Sequence, residues 1–303
     1  MKDILKYTGA IALGALLTYL LVQTTTEKAQ DRNYEKHVSE NYKVFSLAVP
    51  EGLTFCGEEI PLHKMNVAEK LDRELLVNTY WHSNTFLMMK RANRYFPVIE
   101  KILAEEQMPD DLKYLALIES GLTTATSPAG AKGFWQFMSA TGKSYGLEVN
   151  SNVDERNHIE KATRAACNYL KDSYDQFGDW GLVAASYNMG SGGVRKKLKQ
   201  QKQETYWDLE LNSETSRYVY RILAVKEILN NAGKYGFRVR PKDLYPPYQF
   251  DTVAVDTAIT DLVAFANKYG MSYHEFKTLN PWLRKDNLEN RSGKQYSIKV
   301  SQK

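Results

Sequence analysis

Over residues 66–106 apolar side chains recur at threes and fours, with Val67, Leu71, Leu75 and Trp81 on one stripe beside Asn78, then Ile99, Ile102 and Leu103 beyond Pro97. That spacing predicts two packing helices, the second opened by the proline, whose fixed φ and missing N–H suit a first turn. Pro109 and Asp110 open another helix with Leu112, Leu115, Ala116 and Ile118 apolar, which Gly121 stops two residues after Glu119. Residues 127–133 read as a loop, and a short helix is expected over 135–141, broken by Gly142 and Gly146. Asp154 is expected to cap a long amphipathic helix carrying Ile159, Ala162, Ala166, Tyr169, Leu170, Ser173 and Phe177, ended by Gly178. A helix through Leu182, Ala185 and Tyr187 follows and ends at Gly190, and residues 216–229 make the last of this block.

Gly233, Gly236, Pro241, Pro246 and Pro247 then disfavour any continuous element. Beyond them, residues 250–255 and 296–300 alternate like strands around two short helices at 259–269 and 272–279, a βααβ module. The fold class is therefore mainly α with a small mixed tail. Domains are expected at 31–90 (a partly helical extension), 91–235 (the main helical domain) and 250–303 (the module), with a linker at 236–249 that few contacts should cross.

The first residues differ from the rest. Lys2 and Lys6 accompany an apolar run over residues 8–22, after which the chain turns polar. This reads as an export signal or a membrane anchor within residues 1–30, and because Glu27 stands two places before Ala29 where a small residue is wanted, an uncleaved anchor over residues 4–22 is favoured over a cleaved signal. The basic end would stay inside and the body outside.

Composition narrows the classes of function. In 303 residues, a net charge of +4 is too mild for the electrostatic footprint of a dedicated nucleic-acid binder. Two cysteines, Cys56 and Cys167, exclude a four-cysteine zinc site, and they leave open one disulfide or two free thiols. Gly142-Lys143-Ser144 lacks the glycine five positions earlier that a phosphate loop needs, and the five histidines show no metal-ligand spacing. What remains is Glu119, in the last turn of an apolar helix. There the helix dipole opposes ionisation and burial would add to it, and a carboxylic acid that keeps its proton near neutrality can protonate a leaving oxygen; by position alone the same residue also reads as a solvated surface glutamate.

Three ordered motifs surround that acid: Glu119-Ser120-Gly121, then residues 127–138 reading SPAGAKGFWQFM, then residues 185–190 reading ASYNMG. Together they resemble the soluble-lytic-transglycosylase family, and the Phe134-Trp135-Gln136 version is similar to its membrane-bound D type. The tail, through Asp261, Ser272 and Leu279-Asn280-Pro281, resembles a LysM module. The resemblance implies a lysozyme-like helical catalytic domain acting on peptidoglycan glycan strands in the periplasmic envelope, with Glu119 as catalytic acid and base. It also implies that Ser127 lies near the N-acetyl group, that Gln136 and Met138 line the glycan groove, that Tyr187 and Asn188 face the reacting sugar, and that Tyr218 is another cleft tyrosine. Read without the family, Met138 and Tyr187 could equally be core, Asn188 a helix-end residue, and Gln136 an amide in need of partners.

Ordinary glycosidases flank the bond with two carboxylates. No second acid stands out here: Asp154 and Glu155 read as helix-start residues and Asp172, Asp175 and Asp179 as a solvated face. The family's answer is intramolecular attack by the muramyl C6 hydroxyl, closing a 1,6-anhydro ring with no metal or cofactor. The alternatives are a hydrolytic muramidase with Asp154 or Glu155 as base, and an inactive peptidoglycan-binding scaffold.

Overall fold

A computed structural model describes residues 13–19, 25–26, 29–33 and 44–302. Residues 13–19 of the apolar N-terminal run are helical, and the rest of the segment 4–22 lies outside the described residues. Among the described residues no helix is long and apolar enough to cross a membrane. The chain divides into a unit ending at Ser46 and a compact unit from Leu47 onward, and only the second is considered below.

That unit opens with a two-residue hairpin, β1 (Thr54–Phe55) against β2 (Glu58–Glu59), which buries Phe55. Helix α1 (Met65–Tyr80) buries the expected Val67, Leu71 and Leu75, and α2 (His82–Glu105) buries Ile99, Ile102 and Leu103. Two details differ from the pattern. Trp81, expected on the apolar stripe, falls in the break between the helices and is 58% exposed. Pro97 does not start a helix but sits inside α2. A proline there forfeits one backbone bond; it lies on the exposed face, while burial of Met88, Met89 and Ala92 before it and of Ile99 after it holds the helix through.

Helix α3 (Lys113–Ser120), preceded by a 3₁₀ turn over Asp110–Leu112, ends on Gly121 at φ 59°, a left-handed cap that glycine adopts without Cβ strain. The short α4 (Ser139–Ser144) begins later than the pattern suggested, because Lys132 and Phe137 pair as a β-bridge and draw residues 134–138 into the preceding loop. Helices α5 (Ile159–Phe177), α6 (Trp180–Met189), α7 (Ser191–Gln201) and α8 (Thr215–Asn230) complete the bundle. Their shared core includes Leu71, Leu75, Leu103, Leu115, Leu170, Val183, Val219 and Ile228, so α1, expected in an extension, packs into the main domain against α8. Both thiols are free, Cys167 inside this core and Cys56 half-buried.

The tail has the expected order: β3 (Asp251–Val255), α9 (Leu262–Lys268), α10 (Tyr273–Leu279) and β4 (Tyr296–Val300). The strands pair antiparallel with Val253 opposite Ile298. Asp261 caps α9, and Ser272 with Glu275 forms a capping box on α10.

The expectation that few contacts cross to this module is not met. Val153 of the helical domain belongs to the module's own core with Phe276, Trp282, Leu283 and Ile298. Val153 bridges Leu283, Asp154 N–H donates to Trp282 O at 2.8 Å, and Arg284 N–H donates to Asn152 O at 2.9 Å. Lys294 pairs with Glu148 at 2.7 Å, and Lys299 with Glu160 at 2.6 Å. The proline-rich segment forms only 3₁₀ turns, at Ala232–Tyr235 and Pro241–Asp243, but it connects two bodies already docked through residues 148–160. Composition reports the stiffness of a connector and carries no information on surfaces that meet elsewhere.

Candidate active site

Glu119 sits one residue before the end of α3, on a helix whose Tyr114, Leu115, Ala116 and Leu117 are buried. Those side chains dictate the helix's seating and leave Glu119 half-buried at its mouth. Burial is the main force on its carboxyl and raises the pKa from 4.5 to about 7; a hydrogen bond donated by Tyr218 opposes the rise, the charge of Glu214 adds to it, and that of Arg221 lessens it. Tyr218 comes from α8 and is buried, so the chain's second and third motifs are not needed to form this contact. Burial, and next to it the Glu119 charge, push the Tyr218 and Tyr187 phenols well above the ordinary tyrosine range, so both stay protonated and act as donors.

Tyr187, half-buried on α6, packs edge-on against Tyr169 with ring centres 5.2 Å apart and donates to Trp135 O at 2.7 Å. Asn188 does not cap its helix: its Oδ1 accepts from Thr215 Oγ1 at 2.7 Å and its Nδ2 donates to Glu214 at 3.3 Å, tying the end of α6 to the start of α8.

The remaining residues from the sequence lie on one loop, 125–138. Ser127 Oγ accepts from Ala131 N–H at 3.0 Å and closes the Pro128-Ala129-Gly130 turn. Gln136, at φ 50°, donates from Nε2 to Ala125 O at 3.0 Å and Gly133 O at 2.9 Å, which answers its need for partners. Met138 is 45% exposed, against a core role. Ser120 Oγ donates to Phe134 O at 2.8 Å, so the residue after Glu119 fastens this loop to the end of α3. Glu119, Tyr218 and Tyr187 are thus brought together electrostatically, and Ser127, Gln136 and Met138 form a neighbouring rim.

Sequence reasoning missed the clamp beneath the rim. Arg156 is buried, makes a paired contact with Asp154 at 2.9 Å from both Nε and Nη2, and donates from Nη1 to Phe137 O at 3.0 Å and Gly130 O at 3.2 Å. A Cβ on Gly133, at φ 83°, would lie 1.8 Å from Arg156 O, so only glycine allows the loop to lie this close. Asp154 therefore caps no long helix. It is the buried counter-ion of Arg156, with Lys132 at 3.7 Å, and α5 starts only at Ile159. Burial opposes the Asp154 charge, but Arg156 and then Lys132 outweigh it and hold the carboxyl below its usual range. Glu155 is held low in the same way by Lys161 and Lys294. The only hint of this in the sequence was a run of five polar residues, Asp154 to His158, ahead of an amphipathic helix.

The acid's environment makes a pH prediction. A Glu119 that serves as proton donor can do so only while protonated, and on that expectation kcat/KM should fall about tenfold per pH unit above a limb near pH 7. Tyr218→Phe removes a bond that favours the carboxylate, and the limb should move to higher pH. A limb unmoved by Tyr218→Phe, or one lying near pH 4.5, would assign the titration to another group.

A bundle presenting one half-buried carboxyl at a helix end, with a rim loop and a docked βααβ module, defines a lysozyme-like helical domain with a LysM-like companion. Residues 96–209 match the family described as Transglycosylase SLT domain, and residues 251–303 match the Soluble lytic transglycosylase C-terminal LysM-like domain. The chain therefore carries an SLT transglycosylase domain followed by a LysM-like C-terminal domain. It is 32% identical over 251 residues to Membrane-bound lytic murein transglycosylase D of Escherichia coli (strain K12), covering 80% of this chain and 54% of that protein. The chain thus spans about half the length of the curated relatives it matches. Among solved structures, lytic transglycosylase Slt of Pseudomonas aeruginosa matches with 21% identity and a TM-score of 0.37, over 50% of this chain and 26% of that one. The 70 kDa soluble lytic transglycosylase of Escherichia coli matches with 23% identity and a TM-score of 0.38, over 51% and 27%.

Proposed function

We propose that the chain is a lytic transglycosylase of peptidoglycan that cleaves the MurNAc–GlcNAc bond without water and leaves 1,6-anhydromuramyl ends. The observation that carries this reading is Glu119, half-buried beside the Tyr218 phenol and titrating near neutrality. Its proton passes to the glycosidic oxygen as the C1–O bond breaks, with the N-acetyl oxygen bracing C1. The resulting carboxylate then takes the C6 hydroxyl proton as O6 bonds to C1, which returns the acid to its starting state. The attacking group is already held on the sugar, an advantage worth several powers of ten over free water. Ser127, Gln136 and Met138 on the rim, with Tyr187 and Asn188, are the groups assigned to the sugar. Attachment to the envelope through residues 4–22, and glycan binding by the LysM-like module, belong to the same proposal.

A hydrolytic reading has one observation in its favour, and it is not Asp154 or Glu155, which are buried and ion-paired. It is Glu214, exposed and near enough for its charge to raise the Glu119 pKa. Mass analysis of the muropeptides separates the two. Anhydro ends are one water lighter than hydrolysed ends and resist borohydride, and Glu214→Gln should leave that product unchanged. Reducing ends, lost together with turnover in Glu214→Gln, would make the enzyme a muramidase.

A further inference from the structure

Residues 148–155 form a narrow tongue on the helical domain. Val149 and Asp154 pair as a β-bridge, Glu155 N–H donates to Glu148 O at 2.8 Å, and Asn150 Oδ1 turns the tip by accepting from the N–H groups of Asn152 and Val153, both at 2.7 Å. The tip enters the LysM-like module, where Val153 is buried among Phe276, Leu283 and Ile298. The Asn152 side chain is spent there: its Nδ2 donates to Asn287 O and Oδ1, each at 2.9 Å, and its Oδ1 accepts from Glu289 N–H at 3.0 Å. Arg284 adds two bonds, from N–H to Asn152 O at 2.9 Å and from Nη1 to Asn150 O at 2.8 Å. A buried amide with both donors and its acceptor satisfied by another body holds that body in one register.

The base of the tongue leads directly to the rim. Asp154 N–H donates to Trp282 O of the module at 2.8 Å, while the Asp154 carboxylate holds Arg156 by two bonds of 2.9 Å. Arg156 Nη1 in turn donates to Gly130 O and Phe137 O, which flank the stretch carrying Gln136. This joint has no slack. A Cβ on Gly133 would lie 1.8 Å from Arg156 O, and Gly133 O itself accepts from the backbone N–H and the Nε2 of Gln136. Backbone packed so closely passes a displacement on, because protein interiors are dense and barely compressible. Lys294 steadies the same base from the module, reaching Glu148 at 2.7 Å and Glu155 at 3.2 Å.

Tethering a second binding module requires nothing of this kind, since a flexible connector is enough. We propose that the LysM-like module is a positioning element of the cleavage site: it seats the tongue so that Asp154 and Arg156 hold the rim of Ser127, Gln136 and Met138 at the sugar, with Asn152 as the positioning residue. The bearing on the sugar rests on the proposed function, whereas the coupling of module to rim rests on the tongue. The contact of Glu119 with Tyr218, between α3 and α8, lies outside this path, so the titration of the acid is independent of it.

The test combines amide hydrogen exchange with steady-state kinetics on the full chain. Asn152→Ala removes three side-chain bonds to the module without touching the rim. Exchange over residues 125–138 should quicken about tenfold, the scale of one to two lost hydrogen bonds, while exchange over α8 keeps its wild-type rate. KM for a soluble glycan fragment should rise by a similar factor, with kcat changed less than about threefold and the pH limb of Glu119 unmoved. Asn287→Ala, on the module alone, removes one of the same bonds and should act in the same direction by less, which keeps the proposal testable where Asn152→Ala does not fold. Rim exchange unchanged in both variants, or quickened equally over α8, would overturn the proposal. So would a looser rim at unchanged KM, or a raised KM over an unmoved rim, the latter placing the effect in the module's own contact with glycan. A wild-type chain that cleaves nothing defeats the enzymatic reading, and rim exchange then still decides the coupling.

Discussion

Glu119→Gln is expected to lower glycan cleavage by at least about 10² to 10⁴ fold, the usual contribution of general acid catalysis, while the protein stays folded. The amide keeps the shape and can still accept the Tyr218 hydroxyl bond, but it supplies no proton. A stability measurement gives an independent check on the same environment. The folded carboxyl titrates at about 7 against 4.5 when solvated, so between those values the native state holds a proton that the unfolded state has lost. Stability therefore falls as pH rises from 4.5 to 7 and levels off above it. The Gln variant has no such group, and its stability relative to the wild type should improve over that window. Retention of a tenth of the rate, or a pH–stability difference of the opposite sign, would remove Glu119 from the role of acid.

Arg156→Ala should produce the largest loss of stability, up to about 3 to 5 kcal/mol, because it leaves the buried Asp154 carboxylate with only the longer Lys132 contact at 3.7 Å. It also deprives Phe137 O and Gly130 O of a donor, so the rim carrying Ser127, Gln136 and Met138 should loosen. Denaturant unfolding reads the first effect. The second should appear as a raised KM in a protein held well below its melting temperature. Asp154→Asn keeps neutral hydrogen bonding to Arg156 and should cost less than Arg156→Ala, which distinguishes a stranded charge from lost packing. A cost under about 1 kcal/mol for Arg156→Ala would mean that water reaches Asp154 and that the clamp is not closed.

The two effects lie on one physical path. Residues 148–160 face the rim loop on one side, through Arg156, and the module on the other, through Asn152, Val153 and Asp154. The module's contact with Asp154 N–H and the rim's contact with the Asp154 counter-ion meet in a single buried residue. Truncation at the proline-rich segment would expose Val153 and remove a backbone partner from Asp154 and a cation from Glu160, so a separated helical domain should be less stable than the full chain.

Local pattern was enough wherever local physics decides. The stripes of α3 and α5, that of α1 apart from Trp81, the existence of α8, the glycine stops at Gly121 and Gly178, and the βααβ order of the tail follow from side-chain period and backbone freedom, which are written into neighbouring residues. The place of Glu119 in the last turn of an apolar helix was legible for the same reason, whereas its burial depends on what packs around that helix end. The choice of Tyr218 as its partner, the spending of the Gln136 amide on Ala125 and Gly133, and the exposure of Met138 were decided by tertiary structure. So were the uninterrupted passage of α2 through Pro97, the conversion of Asp154 from expected cap to buried counter-ion, and the docking of the tail across a segment that looks like a linker. Each of these depends on which distant surfaces come together, and the energy that selects them, burial of Val153 or pairing of Asp154 with Arg156, exists only once the chain has folded.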